Sequence, residues 1–224
     1  MVKEELIVTE DGSHTVMSSG LAETYHSEKG AINESQHVFI QNGLSLIEKN
    51  EINILEIGFG TGLNALLTYR FAIENKKKIN YFTLEKYPLK TELIKQLNYP
   101  EKLNIDEEVF FNLHSSEWNK LQNLNPYFGL KKQHADLLEY DFTKQKNIDL
   151  VYFDAFSPSK QPELWTELIF KRIFWIMATY GLLTTYSSAG IVKRGLRSAG
   201  FTVKRKPGPK GKFHMLNAIK KLPV

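Results

Sequence analysis

Two stretches of this chain carry residues whose types and spacing suit chemistry. The first, Ile52 to Gly62, reads Ile-Asn-Ile-Leu-Glu-Ile-Gly-Phe-Gly-Thr-Gly. Ile52, Ile54, Leu55 and Ile57 form a short apolar run, and Gly58, Gly60 and Gly62 then alternate ahead of a helical pattern. Glycine admits positive φ and lets a ligand approach the backbone, so such a strand, turn and helix open a nucleotide-sized crevice. The second stretch is Asp154-Ala-Phe-Ser-Pro158, delivered by the strand-like run Ile148 to Phe153 onto the top of the same sheet. Asp154 can accept a proton from an amine or orient it, and Phe156 offers a ring to a flat acceptor. The plainer alternatives are a turn-capping acid and a core side chain.

Spacing decides among nucleotides. A dinucleotide fingerprint needs Gly-x-Gly-x-x-Gly and a P-loop needs Gly-Lys-Ser/Thr; here the third glycine comes one residue early and no such lysine follows. Glu56, two residues before Gly58, would repel a pyrophosphate but attract the ammonium of an amino-acid tail. Acid-x-Gly-x-Gly is the order found in S-adenosylmethionine (SAM) enzymes, although alternating glycines also suit a bare strand-helix corner. Glu85 closes the next strand-like run twenty-seven residues after Gly58 and is the ribose candidate, against a surface acid beside Lys86. Asp136 ends a third run, where an acid in SAM-binding folds can hold the adenine amino group.

SAM is an activated methyl donor, so alignment is the main requirement and no metal is obligatory. The six histidines show no ligand spacing. The absence of cysteine excludes disulfides, thiolate metal sites and the usual nucleophile for methylating pyrimidine ring carbons. The expected acceptor is nitrogen or oxygen.

The elements that must position these residues follow from pattern. A hairpin is expected around Asp11-Gly12, a helix near Val38 to Ile47, and a helix over Leu63 to Asn75. Strands are expected at Ile79 to Glu85, Phe128 to Ala135, Ile148 to Phe153 and Gly181 to Ser187, then a final pair, Phe201 to Lys206 and Phe213 to Ile219. Helices are expected over Pro88 to Leu97, from Pro162 through Trp175, and over Ala189 to Ala199. Asn98 to Pro126 reads as a partly helical insertion that either covers the sheet or carries substrate contacts. The sum is an α/β, Rossmann-like fold with a mostly parallel seven-stranded sheet and a terminal antiparallel hairpin, as in class I SAM-dependent methyltransferases. Residues 1–50 form an N-terminal hairpin and helical extension on a domain spanning 51–224. With Leu164 to Leu183 interrupted by Glu167, Lys171 and Arg172, a soluble protein without a signal peptide or membrane span is expected.

Charge is divided along the chain. From Leu168 onward there are twelve Lys or Arg and no acid, whereas the preceding part is net −8. Such a tail suits a polyanion, or is a solvated surface kept for solubility.

Several motifs together resemble a known family, the methyltransferase domain of the bacterial tRNA 5-methylaminomethyl-2-thiouridine biosynthesis proteins. They are Tyr25-His26-Ser27 with Glu34-Ser35-x-His37-Val38-Phe39 and Asn42-Gly43-Leu44, Glu56 through Asn64, Glu85-Lys-Tyr-Pro-Leu89, Asp154 through Pro162 with Trp165, and Ser187 through Leu196 with Ala199-Gly-Phe201. Ser157 stands where the family is expected to have alanine. The resemblance implies SAM-dependent methylation of the amine of 5-aminomethyl-(2-thio)uridine at the tRNA wobble position, in the cytoplasm. It implies that Asp154 contacts that amine and that Glu56, Gly58, Phe59, Gly60, Thr61, Gly62, Asn64, Glu85, Lys86, Asp136 and Asp154 line the cofactor site. Tyr25 and Phe156 would meet the acceptor base, and Lys193, Arg194, Arg197, Lys204, Arg205, Lys210 and Lys212 would meet tRNA near the anticodon. The fused relatives carry a flavin-dependent oxidase domain that generates the amine, so a separate enzyme is expected to supply it here. Transfer to a small-molecule amine on a SAM fold, or noncatalytic SAM or RNA binding, are the competing readings.

Overall fold

The computed structural model describes residues 4–221. The chain opens with β1 (Glu4–Val8), β2 (His14–Ser18) and β3 (Glu23–Thr24), a small antiparallel sheet in that order. The Asp-Gly hairpin forms as expected, and Asp11 does more than turn the chain. Its Oδ1 accepts from Ser13 N–H (3.0 Å) while its Oδ2 accepts from Asn33 N–H (2.9 Å), in the first turn of α1 (Ala31–Ser35). The helix expected near Val38 to Ile47 is instead a π-helical segment, Gln36–Gln41, and a 3-10 turn, Leu44–Leu46. Gly43 lies between them, where a Cβ would come within 2.3 Å of the Phe39 carbonyl oxygen.

The rest of the chain alternates strands and helices: β4 (Glu51–Ile57), α2 (Leu63–Asn75), β5 (Lys78–Glu85), α3 (Thr91–Ile94), α4 (Tyr99–Leu103), α5 (Glu107–Ser115), β6 (Gln122–Asn125) and β7 (Phe128–His134). There follow β8 (Ile148–Phe153), α6 (Glu167–Ile176), β9 (Met177–Thr185), α7 (Gly190–Ser198), β10 (Phe201–Pro207) and β11 (His214–Lys220). The large sheet runs β10-β11-β9-β8-β4-β5-β7-β6. Its five middle strands are parallel, and β11 lies antiparallel between β9 and β10. The sheet has eight strands rather than seven because β6, inside the insertion, pairs antiparallel with β7. Its sequence, Gln-Asn-Leu-Asn, has little strand propensity and is held by pairing.

Both faces of the sheet are covered. Ile52 and Ile54 of β4 pack into one core with α2, α5 and residues Val16, Val38 and Phe39, while Leu55 and Ile57 alternate into a second core with α6 and α7. Thr166 caps α6 through its hydroxyl, so the segment from Pro162 to Trp165 is a separate 3-10 turn rather than the expected start of the helix. The helix expected at Pro88 contracts to the single turn of α3. Among the described residues no helix is long and apolar enough to cross a membrane.

Candidate cofactor and acceptor site

β4 ends in the glycine turn. Gly58 and Gly60 sit at φ 91° and 49°, and a Cβ would lie 2.8 Å from the Asp154 carbonyl oxygen at Gly58 and 2.9 Å from the Tyr25 ring at Gly60. Any other residue would combine strain with a clash, so these glycines let β8 and the N-terminal segment close onto the turn. Leu84 O accepts both Gly58 N–H (3.0 Å) and Phe59 N–H (3.3 Å), fixing the turn to the end of β5.

Two histidines hold the turn through Thr61. His26 Nε2 lies 2.7 Å from Thr61 Oγ1, and His114 Nε2–H donates to Thr61 O at 3.1 Å. Burial pushes His26 down to about 4 and His114 down to about 3, with the Lys132 ammonium adding to the shift at His114. Both are therefore neutral at physiological pH. Lys132 donates to His114 O under the Trp118 ring, 4.5 Å from its centre, and burial lowers its pKa to about 8. The insertion from Asn98 to Pro126 thus covers and braces, and contributes nothing to the lining of the cavity above.

That cavity, about 700 Å³, opens at the carboxyl edge of the parallel strands. Tyr25, Gly58, Phe59, Gly60, Thr61, Asn64, Glu85, Lys86, Asp136, Asp154, Phe156 and Lys212, all expected site residues, line it. Glu85 spans the glycine turn, its Oε2 accepting from Gly60 N–H (2.9 Å) and its Oε1 from Tyr87 N–H (2.7 Å). Asp136 pairs with Lys86 at 2.6 Å, which holds its carboxyl below the usual range.

Asp154 lines the same cavity. Asn64, in the first turn of α2, donates Nδ2–H to Asp154 Oδ2 at 2.7 Å. Burial pushes Asp154 up to about 7, helped by the charge of Glu34 and opposed by Asn64 and Lys212. The Tyr25 and Phe156 rings, in the same lining, meet edge to face at 4.9 Å. Tyr186 donates its hydroxyl hydrogen to Ala155 O (2.9 Å), and Lys212 Nζ sits 4.1 Å from the centre of the Tyr186 ring. The Ser157 N–H and hydroxyl both donate to Glu23, at 3.1 and 2.9 Å, tying β3 to the Asp154 turn.

Three expectations need correction. Glu56 does not line the cavity. It is fully buried beneath the turn, accepts from Thr83 Oγ1 (2.8 Å), and is driven well above the usual carboxyl range by burial, which disfavours an anion at this position. Lys212 is not a free phosphate ligand, being paired with Glu34 at 2.6 Å in the cavity wall, and Lys210 is paired with Glu10 at 3.0 Å. Gly62 also lies off the lining, 2.7 Å from His114 Nε2 at its would-be Cβ.

The remaining basic residues form a separate surface. Lys193 of α7 lies close to Arg205 of β10 as well as to Arg194 and Arg197 of its own helix, and the Arg205 charge, followed by burial and the two other arginines, lowers the Lys193 pKa. None of these four, nor Lys204, joins an ion pair among the described residues. Local pattern pointed to none of His26, His114, Glu34 or Tyr186, whose partners are remote in sequence; only the motif resemblance touched the first and third.

Residues 113–221 match the model of a family described as S-adenosyl-L-methionine-dependent methyltransferase. The bifunctional tRNA 5-methylaminomethyl-2-thiouridine biosynthesis protein MnmC of Marinomonas sp. strain MWYL1 is 31% identical over 85% of this chain and 30% of its own length. The corresponding Burkholderia thailandensis protein is 30% identical over 96% of this chain and 35% of its own. The crystal structure of MnmC2 from Aquifex aeolicus superposes with a TM-score of 0.80 at 29% identity, covering all of this chain and 72% of that one. The chain belongs to the S-adenosyl-L-methionine-dependent methyltransferases.

Its cofactor is S-adenosylmethionine. In this methyltransferase the cavity fits such a group, because carboxylates at Glu85, Asp136 and Asp154 surround a space whose floor is bare glycine backbone. A sulfonium with an α-ammonium is cationic and suits that field. The chain spans about one third of the MnmC relatives it matches. Spermidine synthase from Thermotoga maritima (TM-score 0.62, 15% identity, all of this chain and 71% of that one) shares the fold.

Proposed function

We propose that this methyltransferase transfers a methyl group to the amine of 5-aminomethyl-(2-thio)uridine at the wobble position of tRNA, giving the 5-methylaminomethyl nucleoside. The observation that carries this reading is Asp154, held by Asn64 in the cavity that the Tyr25 and Phe156 rings also line. The motif resemblance, the similarity to MnmC and MnmC2 and the unpaired cations of α7 and β10 support it.

An aliphatic amine has a pKa of about 10 and arrives as ammonium, with no lone pair to offer. Asp154, as carboxylate, would accept a hydrogen bond from that ammonium and take its proton. Asn64 would keep Oδ2 aimed while the Tyr25 and Phe156 rings confine the flat base. When bound, S-adenosylmethionine supplies an electrophilic methyl carbon; Glu85 would hold its ribose, Asp136 its adenine amino group, and the Gly58 to Gly60 backbone would flank it. The amine gains a methyl group and one proton leaves. The uridine would have to be extruded to enter the cavity, and its aminomethyl group is installed beforehand by another catalytic unit. Such a role places the protein in the cytoplasm.

The experiment is transfer of labelled methyl to tRNA carrying 5-aminomethyluridine and to tRNA lacking it, followed by nucleoside analysis. Label in 5-methylaminomethyluridine from the first tRNA alone is expected. No label on either, with SAM bound and small amines labelled instead, would assign a small-molecule acceptor.

A further inference from the structure

Phe213 is 95% exposed at the connection between β10 and β11, beside a cavity wall built in part by its neighbour Lys212. Nothing about the loop is slack. Gly208 N–H donates to Phe213 O (3.1 Å), Lys212 N–H to Pro209 O (2.9 Å), and His37 Nε2–H to Pro207 O (2.9 Å). Lys210 and Lys212 tie the loop to Glu10 and Glu34. At Gly208 a Cβ would lie 2.3 Å from Lys212 O, so the loop is folded as tightly as its backbone allows. These bonds hold the backbone from which the exposed phenyl ring projects into water.

We propose that Phe213 is a stacking platform for an unpaired nucleobase next to the target nucleotide. This rests on the tRNA reading above and names a subsite it does not contain. When a base leaves its stack to enter the cavity, its neighbours are left with an open face at the rim. An aromatic ring there replaces the lost stacking without regard to base identity, and Lys204 and Arg205 take the phosphates. Lys204 and Arg205 on β10 run toward this loop and have no acid partner among the described residues, so the ring sits at the end of a basic strand.

The test uses an anticodon stem-loop carrying 5-aminomethyluridine, intact or with abasic nucleotides on both sides of the target. Phe213→Ala is expected to weaken binding of the intact stem-loop about tenfold, with SAM affinity and thermal midpoint unchanged, and Phe213→Trp to restore it where Phe213→Leu does not. The abasic stem-loop is expected to bind the wild type as weakly as the intact one binds Phe213→Ala, with no further loss in combination. Wild-type affinity in Phe213→Ala, simple addition of the two losses, or full rescue by leucine would overturn the stacking role, the last pointing to an apolar protein contact. A wild-type protein indifferent to the stem-loop but active on small amines would instead overturn the tRNA reading, and this proposal with it.

Discussion

Asn64 and Asp154, ninety residues apart in sequence, meet through a 2.7 Å hydrogen bond from Nδ2–H to Oδ2. The bond joins the two stretches in which chemistry concentrates: the helix launched by the glycine turn reaches across to the carboxylate delivered by the neighbouring strand.

Asp154 has a pKa near 7, so its basic form dominates above neutrality. Methyl transfer is expected to rise with pH through about 7 and to fall at least ~100-fold in Asp154→Asn or Asp154→Ala, with SAM affinity nearly kept. Asn64 opposes the upward shift, so Asn64→Ala should lower the rate about tenfold and displace the acidic limb to higher pH. A profile unmoved by Asn64→Ala would separate the two residues functionally.

Burial drives the Glu56 carboxyl well above its usual range, with Thr83 donating to it and Asn64 and Tyr81 beside it. Glu56→Gln preserves shape and carries no charge, and should keep both stability and SAM affinity close to wild type. Glu56→Ala leaves Thr83 and its neighbours unpartnered and should cost about 1–3 kcal/mol. Denaturant titrations and SAM binding check both; loss of SAM binding in the glutamine variant would show that an anion is needed.

The histidines beneath Thr61 make the fold sensitive to acid. His26 and His114 stay neutral in the folded protein down to about 4 and 3, whereas the unfolded chain protonates them below about 6.5. Their contribution is full above 6.5 and lost as pH falls toward those values. Asp154 works in reverse, keeping a proton that the unfolded chain releases near 3.8, so its contribution is present below that pH and lost as pH rises through 7. Thermal midpoints should therefore show the gap between wild type and His114→Gln narrowing on acidification, and Asp154→Asn gaining on wild type as pH rises. Parallel curves for His114→Gln would mean that His114 is solvated.

What the sequence made legible is local. The helix from Leu63 to Asn75 and the strand from Ile148 to Phe153 begin and end where expected, because a left-handed Gly62 opens the helix, a left-handed Lys76 closes it, and a wholly buried strand is a continuous apolar run. Most of the expected cofactor contacts converge on one cavity for the same reason, since they follow strand ends. The misreadings involve partners distant in the chain. Nothing around Glu56 announces that Thr83 and Asn64 enclose it, and nothing around Lys210 or Lys212 announces Glu10 and Glu34. β6 exists only because β7 offers it an edge.

The basic face separates polyanion binding from a solubility surface. Edge strands such as β10 are often charged merely to prevent pairing with other chains, and that explanation does not reach Arg194 and Arg197 on α7. Reversing both to Glu should weaken tRNA binding and flatten its dependence on salt by about two counterions, leaving SAM affinity alone. Unchanged tRNA affinity would return these residues to a solvation role.

Lys212 and Glu34 tune Asp154 from opposite sides, the ammonium favouring its carboxylate and the acid disfavouring it. Removing the cation by Lys212→Ala leaves the Glu34 charge unopposed beside Asp154 and frees the β10 to β11 loop. The acidic limb of the rate profile should move to higher pH, with activity partly recovered in alkaline buffer. Glu34→Gln should move it to lower pH while also freeing the loop. Since both variants break the same ion pair but leave opposite charges behind, shifts in the same direction would mean that loop position, not electrostatics, governs the rate.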